Sequence, residues 1–262
     1  MNAIELQRIA NERRADAVTM ITRARTGHTG GAMSCLDVLT CLFYDVKRPQ
    51  DHFLLSKGHS VEGYWAILAD LGYFPKEDLR TFSQAGSPLI GHPNNKVPVV
   101  EVCTGALGHG LPVGVGMALA AKRTGTVANV YVVMGDGEQA EGSIWEAAMA
   151  GANYHLDNLF AVVDRNGLQI SGPTEKVMAL DDLAAKWRAF GWDVVEVDGH
   201  DFDQLDQALA KAWTATDQPV LILAHTIKGK GVDFMENNVV YHYASADSEL
   251  CARAKASIMK EG

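Results

Sequence analysis

Long apolar runs are absent from this chain of 262 residues. None approaches the roughly 20 residues that a bilayer-spanning helix needs, so no membrane span is expected. Cysteine is scarce: Cys35, Cys41, Cys103 and Cys251 form no C-x-x-C pair and no zinc-ligand spacing. Positive charge is in deficit. The formal net charge of -9 and a pI near 5.4 argue against a nucleic-acid surface, so any anionic ligand must be held by a local cluster. No G-x-G-x-x-G follows a strand pattern and no G-K-[ST] occurs, which removes the dinucleotide fingerprint and the P-loop. The amino terminus, "MNAIELQRIANERR", is charged from its fifth residue and lacks the apolar centre of a signal peptide. A cytoplasmic protein with reduced thiols is expected.

What is present is ordinary globular composition, 47% apolar and 21% charged, without repeats, low-complexity tracts or an obvious linker. Apolar residues Ile4, Ile9, Val18 and Ile21 between charges predict an amphipathic helix from Ile4 to Arg23, ended by Gly27. Ser34 reads as the cap of a second helix, with Asp37 three places on. "FLLS" reads as a short strand, and 61–71 as a helix stopped by Gly72. Four further apolar, β-branched runs, 129–134, 158–164, 193–198 and 219–225, alternate with helical patterns at 142–154, 181–190 and 202–214. Strand and helix in alternation predict an α/β fold, a parallel sheet with helices on both faces.

Ligands of such sheets bind beyond the carboxyl ends of the strands, which is where Asp136 and Asp164 fall. The loops "GDGEQAEG" and "DRNGLQISG" therefore form two walls of one expected site. Asp136, Glu138 and Glu141 crowd within six positions, which requires a positive neighbour or a shared proton. Asp136 and Asn166 offer hard oxygens suited to Mg²⁺ or Ca²⁺ and through it to a diphosphate, while Gly135 and Gly137 allow close backbone approach. An Asp-Gly pair after a strand can equally be a plain turn. His28, His59, His92 and His109 occur in glycine-flanked loops or near them, where imidazoles can bind phosphate oxygens and move protons; singly, each could be a satisfied structural group. The run "TGALGHGLPVGVGMALAAKR" fits either a loop that hugs a ligand or a tightly packed helix or dimer contact.

Taken together, "GHTGG", "FLLSKGHSVEGYWAIL", "GHPNNKVPVVEVCTGALGHGLPVGVGMALA", "GDGEQAEGSIWEA", "DRNGLQISG" and "HTIKGKGVDFMENNVVYHY" resemble the transketolases, in order, from the first helix to Tyr243. The likeness is to the amino-terminal, diphosphate-binding half, as in bacteria that divide the enzyme between two chains. It implies a single thiamine diphosphate-binding domain over 1–262, with thiamine diphosphate and Mg²⁺ or Ca²⁺. Asp136, Asn166 and the Leu168 carbonyl match the metal ligands. His59, Gly137, Asn166 and His242 match groups near the diphosphate, and Gly105, Ala106 and Leu107 the loop that meets the aminopyrimidine. His28, His92 and His242 match contacts to the two-carbon donor fragment, and Lys228 a lysine of the loop that closes over the cofactor. Glu141 and Glu146 match a glutamate network that couples two active sites. Glu138 is given no role and is read as solvated.

The resemblance also implies a carboxy-terminal partner chain that binds the pyrimidine and supplies the activating glutamate, an α2β2 assembly and sugar phosphate substrates. Three features depart from the family pattern: His109 stands in place of Gln, Tyr243 in place of Gly, and the stretch between Tyr44 and Phe53 is short. An α-chain of a 2-oxo acid dehydrogenase, which shares the fold and the metal motif, and a non-catalytic paralogue are the competing readings.

Overall fold

A computed structural model describes residues 1–260. Five parallel strands form one sheet: β1 (His52–Leu55), β2 (Val130–Gly135), β3 (Leu159–Arg165), β4 (Asp193–Asp198) and β5 (Val220–His225), in the order β1-β2-β3-β5-β4. Alternate residues of each central strand feed two separate cores. Tyr131, Val133, Phe160, Val162 and Ile222 face one core, and Val130, Val132, Leu159, Ala161 and Leu221 the other. Both faces of the sheet are therefore covered, which accounts for strands that read as near-continuous apolar runs.

The first core is closed by α1 (Ala3–Ala24), α3 (Leu36–Cys41), α4 (Val61–Asp70) and α8 (Phe202–Leu209), with α2 (Thr29–Ser34) leading from α1 to α3. The second is closed by α5 (Gly110–Thr124), α6 (Gly142–Asn153) and α7 (Leu183–Ala189). A carboxy-terminal helix, α9 (Ser248–Ile258), packs on α1 with Val18, Met235, Ala254 and Ile258 buried between them. Gly114 of α5 lies so close to β2 that a Cβ there would meet Val132 at 2.7 Å. Part of the glycine-rich run thus serves close helix-on-sheet packing within this chain.

The helix expected to start at Ser34 is instead two short helices that meet at Cys35. Neither capping residue caps. The Ser34 hydroxyl donates to Asp164 at 2.6 Å, and Asp37 is bound by Arg14 at 2.5 Å. Long-range partners have taken both side chains away from the local role that their spacing suggests. Ile4, assigned to the apolar face of the first helix, is 84% exposed, and Leu6 and Ile9 carry that face instead.

Candidate diphosphate and metal site

The register Gly135↔Asp164 brings the ends of β2 and β3 side by side. Beyond them lies a cavity of about 460 Å³ lined by His28, Lys57, His59, Asp136, Asn166, Leu168, Lys228 and His242, with Gly105, Leu107, Gly137 and Glu141 on its walls. Of the residues expected at the site, Ala106 and His92 are not among its lining. His92 stands just behind, its ring centroid 6.3 Å from that of His28. Gly105 has φ +146°, and a Cβ there would meet the His92 ring at 3.0 Å, so this loop conformation suits glycine alone.

The crowded carboxylates prove to have separate surroundings. Asp136 accepts from the Gly137 N–H at 2.8 Å and the Gly167 N–H at 2.6 Å, and Arg165 lies at 3.4 Å. Burial and the nearby Asp164 charge still hold its carboxyl above the ordinary range. Glu138, read from sequence as solvated, is buried. It accepts from the Ser56 hydroxyl, from the Gly108 N–H at 2.8 Å and from the Gly135 N–H at 3.1 Å. It is not a solvated acid: it braces the glycine loop against the strand end. Glu141 and Glu146 are exposed.

Lys57 is the most deeply placed positive group near these acids, with Arg165 at Asp136. Its ammonium is 2% exposed and pairs with the fully buried Asp164. Burial alone would depress the lysine, but the Asp164 charge raises it above its usual value. Burial would likewise raise Asp164, yet Lys57 and the Ser34 and Thr226 hydroxyls hold it below the carboxylate range. The Asn166 amide donates to Asp164 at 3.1 Å, which leaves its oxygen to accept from Leu168 N–H at 3.1 Å on the cavity side.

Three imidazoles of the cavity lining, His28, His59 and His242, face one another. Ring centroids lie 5.2 Å apart for His28 and His59, 5.8 Å for His28 and His242, and 5.5 Å for the stacked pair His59 and His242. Burial, then neighbouring positive charge, lowers His28 to about 4, His59 to about 2 and His242 to about 3; burial lowers His92 too. All are neutral at pH 7 and can each donate one hydrogen bond and accept another. His109, by contrast, is exposed at the start of α5, its Nδ1 3.1 Å from the Leu107 carbonyl.

Two observations test whether the residues suit a metal and an anion. His242 Nδ1 is buried without a partner among the described residues, so a polar atom is left for a ligand. Asp136 is a buried carboxylate raised by its surroundings, and it lines the same cavity as Asn166 and Leu168. One carboxylate with neutral oxygens and no thiolate suits a hard divalent cation that retains open positions for phosphate oxygens. Lys228, 2% exposed, directs its ammonium to the Leu168 carbonyl at 3.4 Å, and burial followed by the Lys57 charge lowers it to about 8.

Residues 5–259 match the family model described as transketolase, thiamine diphosphate binding domain. The chain belongs to the transketolase family. It is 46% identical over 258 residues to an apulose-4-phosphate transketolase subunit of Phocaeicola vulgatus, covering 95% of this chain and 91% of that protein. A 6-deoxy-6-sulfo-D-fructose transketolase subunit of Clostridium sp. is 39% identical over 269 residues, covering 99% and 98%. Among solved structures, transketolase from Leishmania mexicana superposes with a TM-score of 0.91 at 30% identity, covering 97% of this chain but 41% of that one. Transketolase from Campylobacter jejuni gives 0.91 and 30%, covering 99% and 43%. The transketolase fold is thus present, over about two-fifths of the length of these solved chains. No helix among the described residues is long and apolar enough to cross a membrane.

Sequence reasoning passed over Lys57, Glu62 and His200. Lys57 stands two residues before His59, in a loop whose histidine carries the stronger motif signal. Glu62 is a carboxylate in an otherwise apolar helix, "VEGYWAIL", a signal that could have marked it. It accepts the His28 N–H at 2.8 Å, its other oxygen has no partner among the described residues, and burial raises it to about 7.

Proposed function

We propose that this chain is the diphosphate- and metal-binding subunit of a two-chain transketolase, which moves a two-carbon ketol unit from a ketose phosphate to an aldose. The observation that carries this reading is the meeting, in one cavity, of the Asp136–Asn166–Leu168 oxygen set with the neutral imidazoles of His28, His59 and His242. Asp136, the Asn166 oxygen and the Leu168 carbonyl would hold Mg²⁺ or Ca²⁺. His59, the Gly137 N–H, Asn166 and His242 would bind the diphosphate of thiamine diphosphate, and Gly105, Ala106 and Leu107 would meet its aminopyrimidine. Bound there, thiamine diphosphate would supply the nucleophilic carbon and electron sink that protein side chains lack.

The chain's own contribution is to orient the donor and shuttle protons. His28, His92 and His242 would hold the hydroxyls of the donor fragment; being neutral, each can give a proton to an oxygen on one side and accept one on the other. Lys228 would screen the phosphate charge, and the low-exposure setting strengthens every such contact. Glu141 and Glu146, exposed in the isolated chain, are assigned to the contact between active sites in an α2β2 assembly. The partner would bring the pyrimidine-binding half and the activating glutamate; that the relatives' names describe them as subunits supports a second chain. A cytoplasmic location fits the reduced thiols.

The 2-oxo acid dehydrogenase reading is disfavoured, because the family model and the relatives that span most of this chain are transketolases. The test is a native mass spectrum of this chain purified from its own host with Mg²⁺ present. A complex with a second chain of about 300 residues, within reach of a domain or two, carrying thiamine diphosphate, is the expected result. A lone homodimer without thiamine diphosphate would favour the non-catalytic paralogue.

A further inference from the structure

His200 lies in the turn between β4 and α8, outside the cavity, yet both of its ring nitrogens are committed. Nδ1 is 2.7 Å from Asp37 Oδ2, and Nε2 is 2.8 Å from the Ile227 main-chain nitrogen. A peptide N–H can only donate, so Nε2 must be the bare nitrogen. The proton therefore sits on Nδ1 and is donated to Asp37. Asp37 is itself fixed: it is 1% exposed, on α3, and paired with the 0%-exposed Arg14 of α1. The His200 side chain is 11% exposed, and its own N–H donates to Asp198 at 2.9 Å, which sets the turn. A chain of contacts thus runs from a buried ion pair, through one imidazole with a defined tautomer, to the main chain of residue 227.

The next residue is Lys228, whose ammonium enters the cavity. The segment that carries it is tied at every step. Thr226 donates through its hydroxyl to Asp164 and through its N–H to the Arg165 carbonyl at 3.1 Å. Gly229 N–H donates to the Gly30 carbonyl at 3.0 Å. Between these anchors, Ile227 N–H has His200 as its acceptor, so the imidazole fixes the peptide group one residue before Lys228, whose ammonium meets the Leu168 carbonyl at 3.4 Å.

We propose that His200 is a positioning residue: by accepting the Ile227 N–H it sets the peptide plane that directs Lys228 onto the diphosphate site. The inference rests on the reading of that cavity as the thiamine diphosphate site. A competing role, in which the imidazole serves only to satisfy the buried Asp37, makes a different prediction, because the two ring nitrogens can be mimicked separately.

In His200→Gln the side-chain oxygen reaches the Nε2 place and can still accept from Ile227, while the donor to Asp37 is lost. In His200→Asn the amide nitrogen takes the Nδ1 place and still donates to Asp37, but nothing reaches Ile227. The two variants and wild type are compared in the complex with the partner chain, by hydrogen exchange of the 226–230 segment without cofactor and by titration of thiamine diphosphate in Mg²⁺. His200→Asn is expected to exchange the Ile227 amide faster and bind thiamine diphosphate about tenfold more weakly, the effect of one hydrogen bond. His200→Gln should keep exchange and affinity within about threefold of wild type, although its unfolding midpoint falls because Asp37 loses a donor. Wild-type exchange and affinity in His200→Asn would overturn the proposal and leave the imidazole as a partner of Asp37 alone. Should wild type itself fail to bind thiamine diphosphate, the cavity reading falls, and unchanged exchange in His200→Asn would separately sink the positioning role.

Discussion

Replacing Lys57 by Met should be among the most destabilising single changes in this chain. The substitution keeps the length of the stem and removes the charge. Asp164, 0% exposed, would retain the Ser34 and Thr226 hydroxyls and the Asn166 amide at 3.1 Å, but would lose the cation that pairs with it. Removing one partner of a buried pair costs about 3–5 kcal/mol, because the other charge remains buried. The three surviving neutral donors place the expected loss near the lower end, about 3 kcal/mol, against a total stability of about 5–15 kcal/mol for a domain. Urea unfolding followed by tryptophan fluorescence should show the midpoint falling by about 1–2 M at constant slope. The double variant Lys57→Met/Asp164→Asn removes both charges and should recover most of the loss, which a double-mutant cycle would read as a coupling of about 2 kcal/mol. A single variant within about 0.5 kcal/mol of wild type, or a double variant as unstable as the single, would refute the claim that this pair supports the floor of the site.

Asp136→Ala should unfold like wild type yet bind thiamine diphosphate in Mg²⁺ far more weakly, beyond the roughly 10–100-fold that loss of an outer-sphere partner causes; calorimetric titration with wild-type affinity would refute the metal assignment. Glu62 is held protonated in the folded chain up to about 7 against an ordinary 4.5. Between those values the folded state binds the extra proton, so the contribution of Glu62 to stability is fully present below pH 4.5 and is lost as pH rises through 7. Glu62→Gln should flatten that slope and gain on wild type between pH 6 and 8, and parallel stability–pH curves for the two would contradict it. The Tyr243 ring lies 4.8 Å from that of His28 and its hydroxyl 2.8 Å from Thr26 Oγ1. Tyr243→Gly is expected to lower kcat/KM for the ketose donor by about tenfold without changing thiamine diphosphate affinity; equal donor kinetics in the reconstituted enzyme would show that the ring merely covers the histidine.

Legibility from sequence followed the range of the forces involved. The strand expected at 193–198 has those bounds in the structure, and those expected at 129–134 and 158–164 are displaced by one residue. Their signal is local: β-branched residues in buried runs need no distant partner to be recognised. The cavity was legible where its lining residues stand at strand ends, as Asp136 and Asn166 do. It was illegible where a side chain's role depends on a contact many positions away. Ser34 looks like a cap until Asp164, 130 residues on, claims its hydroxyl. Glu138 looks like a surface acid until Gly108 and Ser56 fold over it. His200 has no motif value at all without Asp37, 163 residues earlier. The carboxy-terminal α9, capped by Asp247, was missed because it buries only Cys251, Ala254 and Ile258, too few apolar residues to give a clear helical period.

The most direct test of the central claim is a ketol-transfer assay on this chain alone and on the chain recombined with its separately purified partner, both with thiamine diphosphate and Mg²⁺ and with a panel of ketose phosphates. No turnover is expected from the isolated chain, whatever the cofactor concentration, and turnover is expected once the partner is added. Turnover by the partner-free chain, or a recombined complex that holds thiamine diphosphate yet transfers from no ketose phosphate, would contradict it.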